Sequence, residues 1–143
     1  MTDHKSILLV EDNRDDEALT LRALKKNNIA NEILIARDGA QALEMLLGAE
    51  AARIALPSVI LLDIKLPKID GLEVLQRLRG DPRTSSVPIV ILTSSKEEQD
   101  IIAGYTLGAN SYIRKPVDFD QFVEAVKQLG LYWLVLNEPA PKR

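Results

Sequence analysis

Five short apolar runs punctuate the chain: Ile7–Val10, Ile33–Ala36, Val59–Leu62, Ile89–Leu92 and Tyr112–Ile113. The runs beginning at 7, 59 and 89 are almost unbroken Ile, Leu and Val, the pattern of strands buried on both faces. Those beginning at 33 and 112 are shorter or more mixed, as strands at sheet edges are. Helical spacing fills the intervals. Between Asp15 and Lys26, Ala18, Leu21 and Leu24 recur at that spacing. Acids lie in the first turn and Lys25 and Lys26 in the last, which complements the helix macrodipole. Asn13 predicts an N-cap and Asn27-Asn28 a stop. A second helix is predicted over Ala40–Leu47, ended by Gly48. A third covers Leu72–Arg79, with Leu72, Leu75 and Leu78 inward and Gly80 at its end. The capping box Ser95-Lys96-Glu97-Glu98 opens a fourth, which Gly108 closes. Asp118 opens a fifth, striped by Phe119, Phe122, Val123, Val126 and Leu129.

Alternation of strand and helix implies an α/β fold in which a doubly wound parallel sheet carries helices on both faces through right-handed crossovers. Five strands suggest the flavodoxin-like order 2-1-3-4-5. One domain is expected over residues 1–143, with a core of about 5–130 and an apolar C-terminal extension at 131–143. Gly48–Leu56 is the one insertion of note.

Composition narrows the chemistry. The 18 basic and 21 acidic side chains are interspersed, and no basic run suggests nucleic acid or anionic lipid as a partner. Cysteine is absent, which excludes disulfides and thiolate-bound metals, and the single histidine, His4, lies near the terminus. Any metal should therefore be a hard cation held by oxygens. The polar start Met1–Ser6 is no signal peptide, and no apolar stretch reaches the roughly 18 residues needed to span a bilayer. The expectation is a cytoplasmic protein.

Four of the five strands end in a polar residue. These are Glu11-Asp12, Asp63, Thr93-Ser94 and Lys115-Pro116. In an open parallel sheet the carboxyl ends of the strands are where ligands bind, and the first and third strands flank the switch point. Singly, each residue has an ordinary explanation as a turn former, a cap or a solvated lysine. Jointly, they would place three carboxylates, a hydroxyl and an ammonium in one crevice. Like charges 4 Å apart repel by roughly 4 kcal/mol at an effective dielectric near 20. Lys115 offsets only one of three, so a divalent cation such as Mg²⁺ is the natural remainder. A carboxylate nucleophile, a metal and a cationic clamp are the parts that phosphoryl transfer requires.

With these residues in place, the chain resembles the response-regulator receiver family. The likeness rests on Leu8-Leu9-Val10-Glu11-Asp12, Leu61-Leu62-Asp63-Ile64-Lys65-Leu66-Pro67, Asp70-Gly71, Leu92-Thr93-Ser94 and Lys115-Pro116, over about residues 5–130. The resemblance implies that Asp63 accepts a phosphoryl group from a sensor histidine kinase. It implies that Glu11, Asp12, Asp63 and the backbone carbonyl of Lys65 hold Mg²⁺. Thr93 and Lys115 would engage the phosphoryl oxygens, small Ser94 would leave access, and side chains at Lys65 and Ser95 would tune the phosphate lifetime. It further implies a cis Lys115–Pro116 peptide. Tyr112 matches the switch aromatic, with an ordinary strand aromatic as the other reading. The switched surface would comprise the fourth helix, fifth strand and fifth helix, read by a downstream protein.

Local matches extend to stand-alone regulators of the phytochrome-associated type, at Leu66-Pro67-Lys68, Gly80-Asp81-Pro82, Thr93-Ser94-Ser95 and Tyr132-Trp133-Leu134…Asn137-Glu138-Pro139. They suggest a phytochrome-type or hybrid kinase as donor. The tail Leu131–Leu136 either packs on its own domain or forms a homodimer with the fifth helix. The expectation is a switch that catalyses only its own phosphorylation and dephosphorylation, with no effector domain. A phosphohydrolase of the haloacid-dehalogenase type would want an acid where Lys65 stands. A flavodoxin-like cofactor binder would not place Glu11-Asp12 in its phosphate loop. A degenerate scaffold would have lost Asp63, Thr93 or Lys115.

Overall fold

A computed structural model describes residues 6–25, 32–49, 55–93 and 98–130. The predicted Asn27-Asn28 stop, the capping residues 95–97, Ser94, His4 and the tail 131–143 lie outside them, as does most of the insertion. The elements run β1 (Ile7–Val10), α1 (Arg14–Lys25), β2 (Ile33–Ala36), α2 (Gly39–Leu47), β3 (Val59–Asp63), α3 (Gly71–Arg79), β4 (Ile89–Thr93), α4 (Glu98–Thr106), β5 (Ser111–Arg114) and α5 (Phe119–Gln128). The sheet is parallel throughout, in the order β2-β1-β3-β4-β5. The mixed runs do form its edges.

Successive strand residues point to opposite faces, so each apolar run feeds two cores. Leu8, Val10, Ile60, Leu62, Ile89 and Ile91 pack with Ala42, Leu43 and Leu46 of α2 and Val74, Leu75 and Leu78 of α3. On the other face, Ile7, Leu9, Val59, Leu61, Val90 and Leu92 meet Leu24 of α1 and Phe122, Ala125 and Val126 of α5. This two-sided burial explains why β1, β3 and β4 lack polar alternation.

Asn13 and Asp118 stand at the helix starts where they were expected; the caps Asp38 and Asp70 were not anticipated. Asn13 Oδ1 accepts the Asp16 N–H at 2.9 Å, and Asp38, Asp70 and Asp118 cap α2, α3 and α5 through the N–H groups of Gln41, Glu73 and Gln121. The buried face of α1 differs from expectation. Ala18 is exposed, whereas Glu17, Thr20 and Leu24 are buried and Leu21 is half-buried. The helix is rotated so that Glu17 Oε2 meets Arg37 Nη2 at 3.0 Å, an ion pair that joins α1 to the turn after β2. Leu72 is likewise only half-buried; Val74 takes the place beside Leu75 and Leu78.

At the amino-end rim, the Arg79 guanidinium donates to five uncharged oxygens: Gly108 O at 2.9 Å, Val87 O at 2.7 Å, Ser85 O at 3.1 Å, Thr84 O at 3.4 Å and Asn110 Oδ1 at 2.8 Å. Asn110 Oδ1 also accepts the Ile89 N–H. The end of α3, the start of β4 and the α4–β5 turn are thereby fastened together. Gly108, at φ 108°, makes that turn in a conformation side chains rarely adopt. Among the described residues no helix is long and apolar enough to cross a membrane.

Candidate functional site

The carboxyl rim assembles the polar strand ends. Glu11 and Asp12 follow β1, Asp63 closes β3, Thr93 closes β4 and Lys115 follows β5. Register fixes their neighbourhood: Val10 pairs with Leu62, Asp63 with Leu92, and Thr93 with Arg114. One carboxylate oxygen from each of Glu11, Asp12 and Asp63 lies within 4.8 Å of the others. Glu11 and Asp63 are buried and Asp12 is exposed, so the cluster opens to solvent on one side.

Local turns hold Asp63 firmly. Its Oδ1 accepts the Lys65 N–H at 3.0 Å, and the Ile64 N–H reaches Leu92 O at 3.1 Å. The Gly71 N–H returns to Ile64 O at 3.1 Å. A Cβ at Gly71 would collide with the Asp63 carbonyl oxygen, so only glycine lets α3 start against this strand end. Lys68, at φ 67°, turns the intervening loop. Beside it, a depression of about 340 Å³ is lined by Asp12, Lys65, Leu66, Pro67 and Asp70.

Lys115 enters from the opposite side, just before the cis Lys115–Pro116 peptide, with its N–H on Thr93 O at 2.8 Å. Its ammonium lies 2.8 Å from Asp63 Oδ2, 2.8 Å from Glu11 Oε1 and 3.0 Å from Asp16 Oδ2. The side chain is only 8% exposed. Burial alone would lower its pKa, but the carboxylates of Asp63 and Glu11 outweigh burial and hold it above the ordinary lysine value. Glu11 is raised as well, but in its case by burial. Burial pushes its pKa up to about 7; Lys115 pulls it down, and the neighbouring Asp63 adds to the rise.

Glu11 Oε2 accepts the Asn13 N–H at 3.2 Å, whereas its buried Oε1 lacks a well-aligned hydrogen-bond donor despite the nearby ammonium. A buried carboxylate oxygen short of a donor, beside two more carboxylates, fits a hard divalent cation. Thr93 is fully buried at its strand end.

Of the residues expected from sequence, Glu11, Asp12, Asp63 and Lys115 converge directly, Thr93 lies on the adjoining strand end, and Lys65 contributes its N–H to Asp63. Tyr112 stands apart on β5. It is 36% exposed, its ring is 6.2 Å from Tyr105 in an edge-to-face arrangement, and Arg114 lies over it at 5.9 Å. These three residues border a groove of about 550 Å³ between β5 and α5. Asp16 was not singled out from the sequence. As a first-turn acid it looks like a macrodipole partner, and its lysine lies 99 residues away.

Known proteins share this fold. Residues 7–127 match the model of the response regulator receiver domain. Response regulator Rcp1 of Synechocystis sp. is 39% identical over 131 residues, covering 91% of this chain and 89% of that protein. The solved structure of the bacteriophytochrome response regulator AtBRR is 50% identical, with a TM-score of 0.82 over 92% of this chain and 96% of that one. The Mn²⁺-bound form of Rcp1 superimposes with a TM-score of 0.75 at 37% identity, over 96% and 99% of the two chains.

Proposed function

Since the chain belongs to the response regulator receiver family of two-component signalling, we propose that Asp63 is its phosphoacceptor and that the acidic rim is its Mg²⁺ site. The observation that carries this reading is the cluster of Glu11, Asp12 and Asp63 with the Lys115 ammonium 2.8 Å from Asp63 Oδ2. An Asp63 carboxylate oxygen attacks the phosphorus of a phosphohistidine on a sensor kinase. A P–O bond forms, the P–N bond breaks, and its electron pair stays on the imidazole nitrogen. Lys115 then turns from Asp63 and Glu11 to the phosphoryl oxygens, and Thr93 supplies a hydroxyl donor from the neighbouring strand. Bound Mg²⁺, held by Glu11, Asp12, Asp63 and the Lys65 carbonyl, would neutralise charge on those oxygens. Loss of the group follows when water attacks phosphorus and the carboxylate leaves.

The output in this reading is a change of surface rather than turnover of a separate substrate. The exposed Tyr112–Tyr105 pair and the groove beside it give α4, β5 and α5 a face that a downstream protein can read. Tyr112 turns inward when Thr93 engages the phosphoryl group. The likeness to bacteriophytochrome response regulators supports a phytochrome-type kinase as donor, with a hybrid kinase as the other source. The same reading places the chain in the cytoplasm as one receiver unit. For the segment 131–143, packing on its own domain and a homodimer with α5 are the two readings, and concentration-dependent mass with Trp133→Ala separates them.

The deciding experiment is mass spectrometry after incubation with acetyl phosphate and Mg²⁺. A single phosphoryl adduct is expected, lost in Asp63→Asn and with EDTA. An adduct that persists in Asp63→Asn moves the chemistry elsewhere.

A further inference from the structure

The Lys115 ammonium has three protons and three carboxylates around it, and the three are not equivalent. In the proposed reaction Asp63 surrenders a carboxylate oxygen to phosphorus, and Glu11 is a metal ligand. Asp16 has neither duty: it lies outside the cluster of Glu11, Asp12 and Asp63. Its Oδ2 nonetheless accepts a hydrogen bond from Lys115 Nζ at 3.0 Å, close to the 2.8 Å that Asp63 makes.

The backbone beneath Asp16 is fixed to the same site. Glu11 Oε2 accepts the Asn13 N–H, and Asn13 Oδ1 accepts the Asp16 N–H. The first turn of α1 is thus tied to the end of β1 and presents Asp16 toward Lys115 from a rigid element. Asp15, the neighbouring first-turn acid, is exposed. A role in complementing the helix dipole would suit either residue, and so does not account for the contact with Lys115.

We propose that Asp16 is a positioning residue for phosphoryl transfer: it keeps the Lys115 ammonium at the mouth of the site while the other two carboxylates change partners. This rests on the reading of Asp63 as phosphoacceptor. A lysine stem is flexible, and its ammonium is a compact charge with no built-in geometry. Without Asp16, the partners left to Lys115 are those drawn toward the metal and the phosphoryl group. With it, one N–H stays anchored and the other two remain directed inward.

The test is a double-mutant cycle on the full chain, read by the initial rate of Asp63 phosphorylation with acetyl phosphate at saturating Mg²⁺. Asp16→Ala is expected to slow phosphorylation about tenfold. Mg²⁺ affinity, measured separately, should stay within about threefold, since the carboxylate is outside the ligand cluster. In a Lys115→Ala background, the same substitution should change the rate by less than about twofold, because the anchored group is gone. Asp16→Asn keeps an oxygen acceptor but no charge and should fall between wild type and Asp16→Ala. It also serves as the readout if Asp16→Ala fails to fold, as judged by circular dichroism; an Asp16→Asn rate equal to wild type would then overturn the proposal.

A wild-type rate in Asp16→Ala, or an equal loss in both backgrounds, would overturn the positioning role alone. A wild-type chain that forms no Asp63 adduct would overturn the functional reading and the inference with it.

Discussion

With Glu11 as a ligand in the proposed Mg²⁺ site, metal binding should depend on pH. Its carboxyl is buried, and its pKa is raised from 4.5 to about 7, chiefly by that burial. In the unfolded chain it ionises near its ordinary value. Between those two pH values the folded, metal-free protein retains a proton that the unfolded chain has released. Stability from this group is therefore fully present below the unfolded value and lost as pH rises through about 7, a contribution on the order of 3 kcal/mol. Lys115, held above its ordinary value, stays charged in both states throughout this window and adds no slope.

A divalent cation needs the carboxylate, so binding at low pH must expel that proton. With a pKa near 7, the apparent Mg²⁺ dissociation constant should rise about tenfold from its plateau at pH 6 and about thirtyfold at pH 5.5. Titration calorimetry in two buffers of different ionisation enthalpy would measure the released protons. About nine-tenths of a proton per Mg²⁺ is expected at pH 6, and about a tenth at pH 8. Glu11→Gln should bind more weakly and without this slope. A flat dissociation constant between pH 5.5 and 7.5 would refute the reasoning.

Three further outcomes follow from packing. Leu75, fully buried between α3 and the sheet, should cost about 2–5 kcal/mol when replaced by alanine, measured by urea unfolding; a loss below 1 kcal/mol would mean that the site collapses without leaving a cavity. Gly71→Ala should lose about 1–3 kcal/mol and also slow Asp63 phosphorylation, because the added methyl displaces the strand end that carries the proposed phosphoacceptor. Arg79→Met should lose about 2–3 kcal/mol by stranding carbonyl oxygens, while Mg²⁺ affinity remains unchanged in the same calorimetric assay.

The strands were legible because burial on two faces leaves unbroken apolar runs, and the more mixed run at 33 and the short one at 112 marked the edges for the same reason. Strand order then brought Glu11, Asp12, Asp63 and Lys115 to one rim, so most of the acidic site was readable once the topology was assumed. Residues whose role depends on a distant partner were not. Ala18 was expected inside because helical spacing counts apolar residues only. The helix instead buries Glu17, whose Arg37 partner lies beyond β2. Asp16 escaped notice for a similar reason, since nothing near it in sequence distinguishes it from Asp15. Arg79 sits at a helix end where a basic residue is unremarkable; its five acceptors come from segments that only the folded chain brings together.

That arginine has a consequence for how the molecule divides its labour. Its oxygen partners cannot titrate, and none of them lies among the residues that would meet phosphorus or metal. The lower edge of the sheet is thus indifferent to the proton, cation and phosphate traffic that alters the upper edge. One end acts as a stationary footing, and conformational response is free to concentrate in the loops at the other.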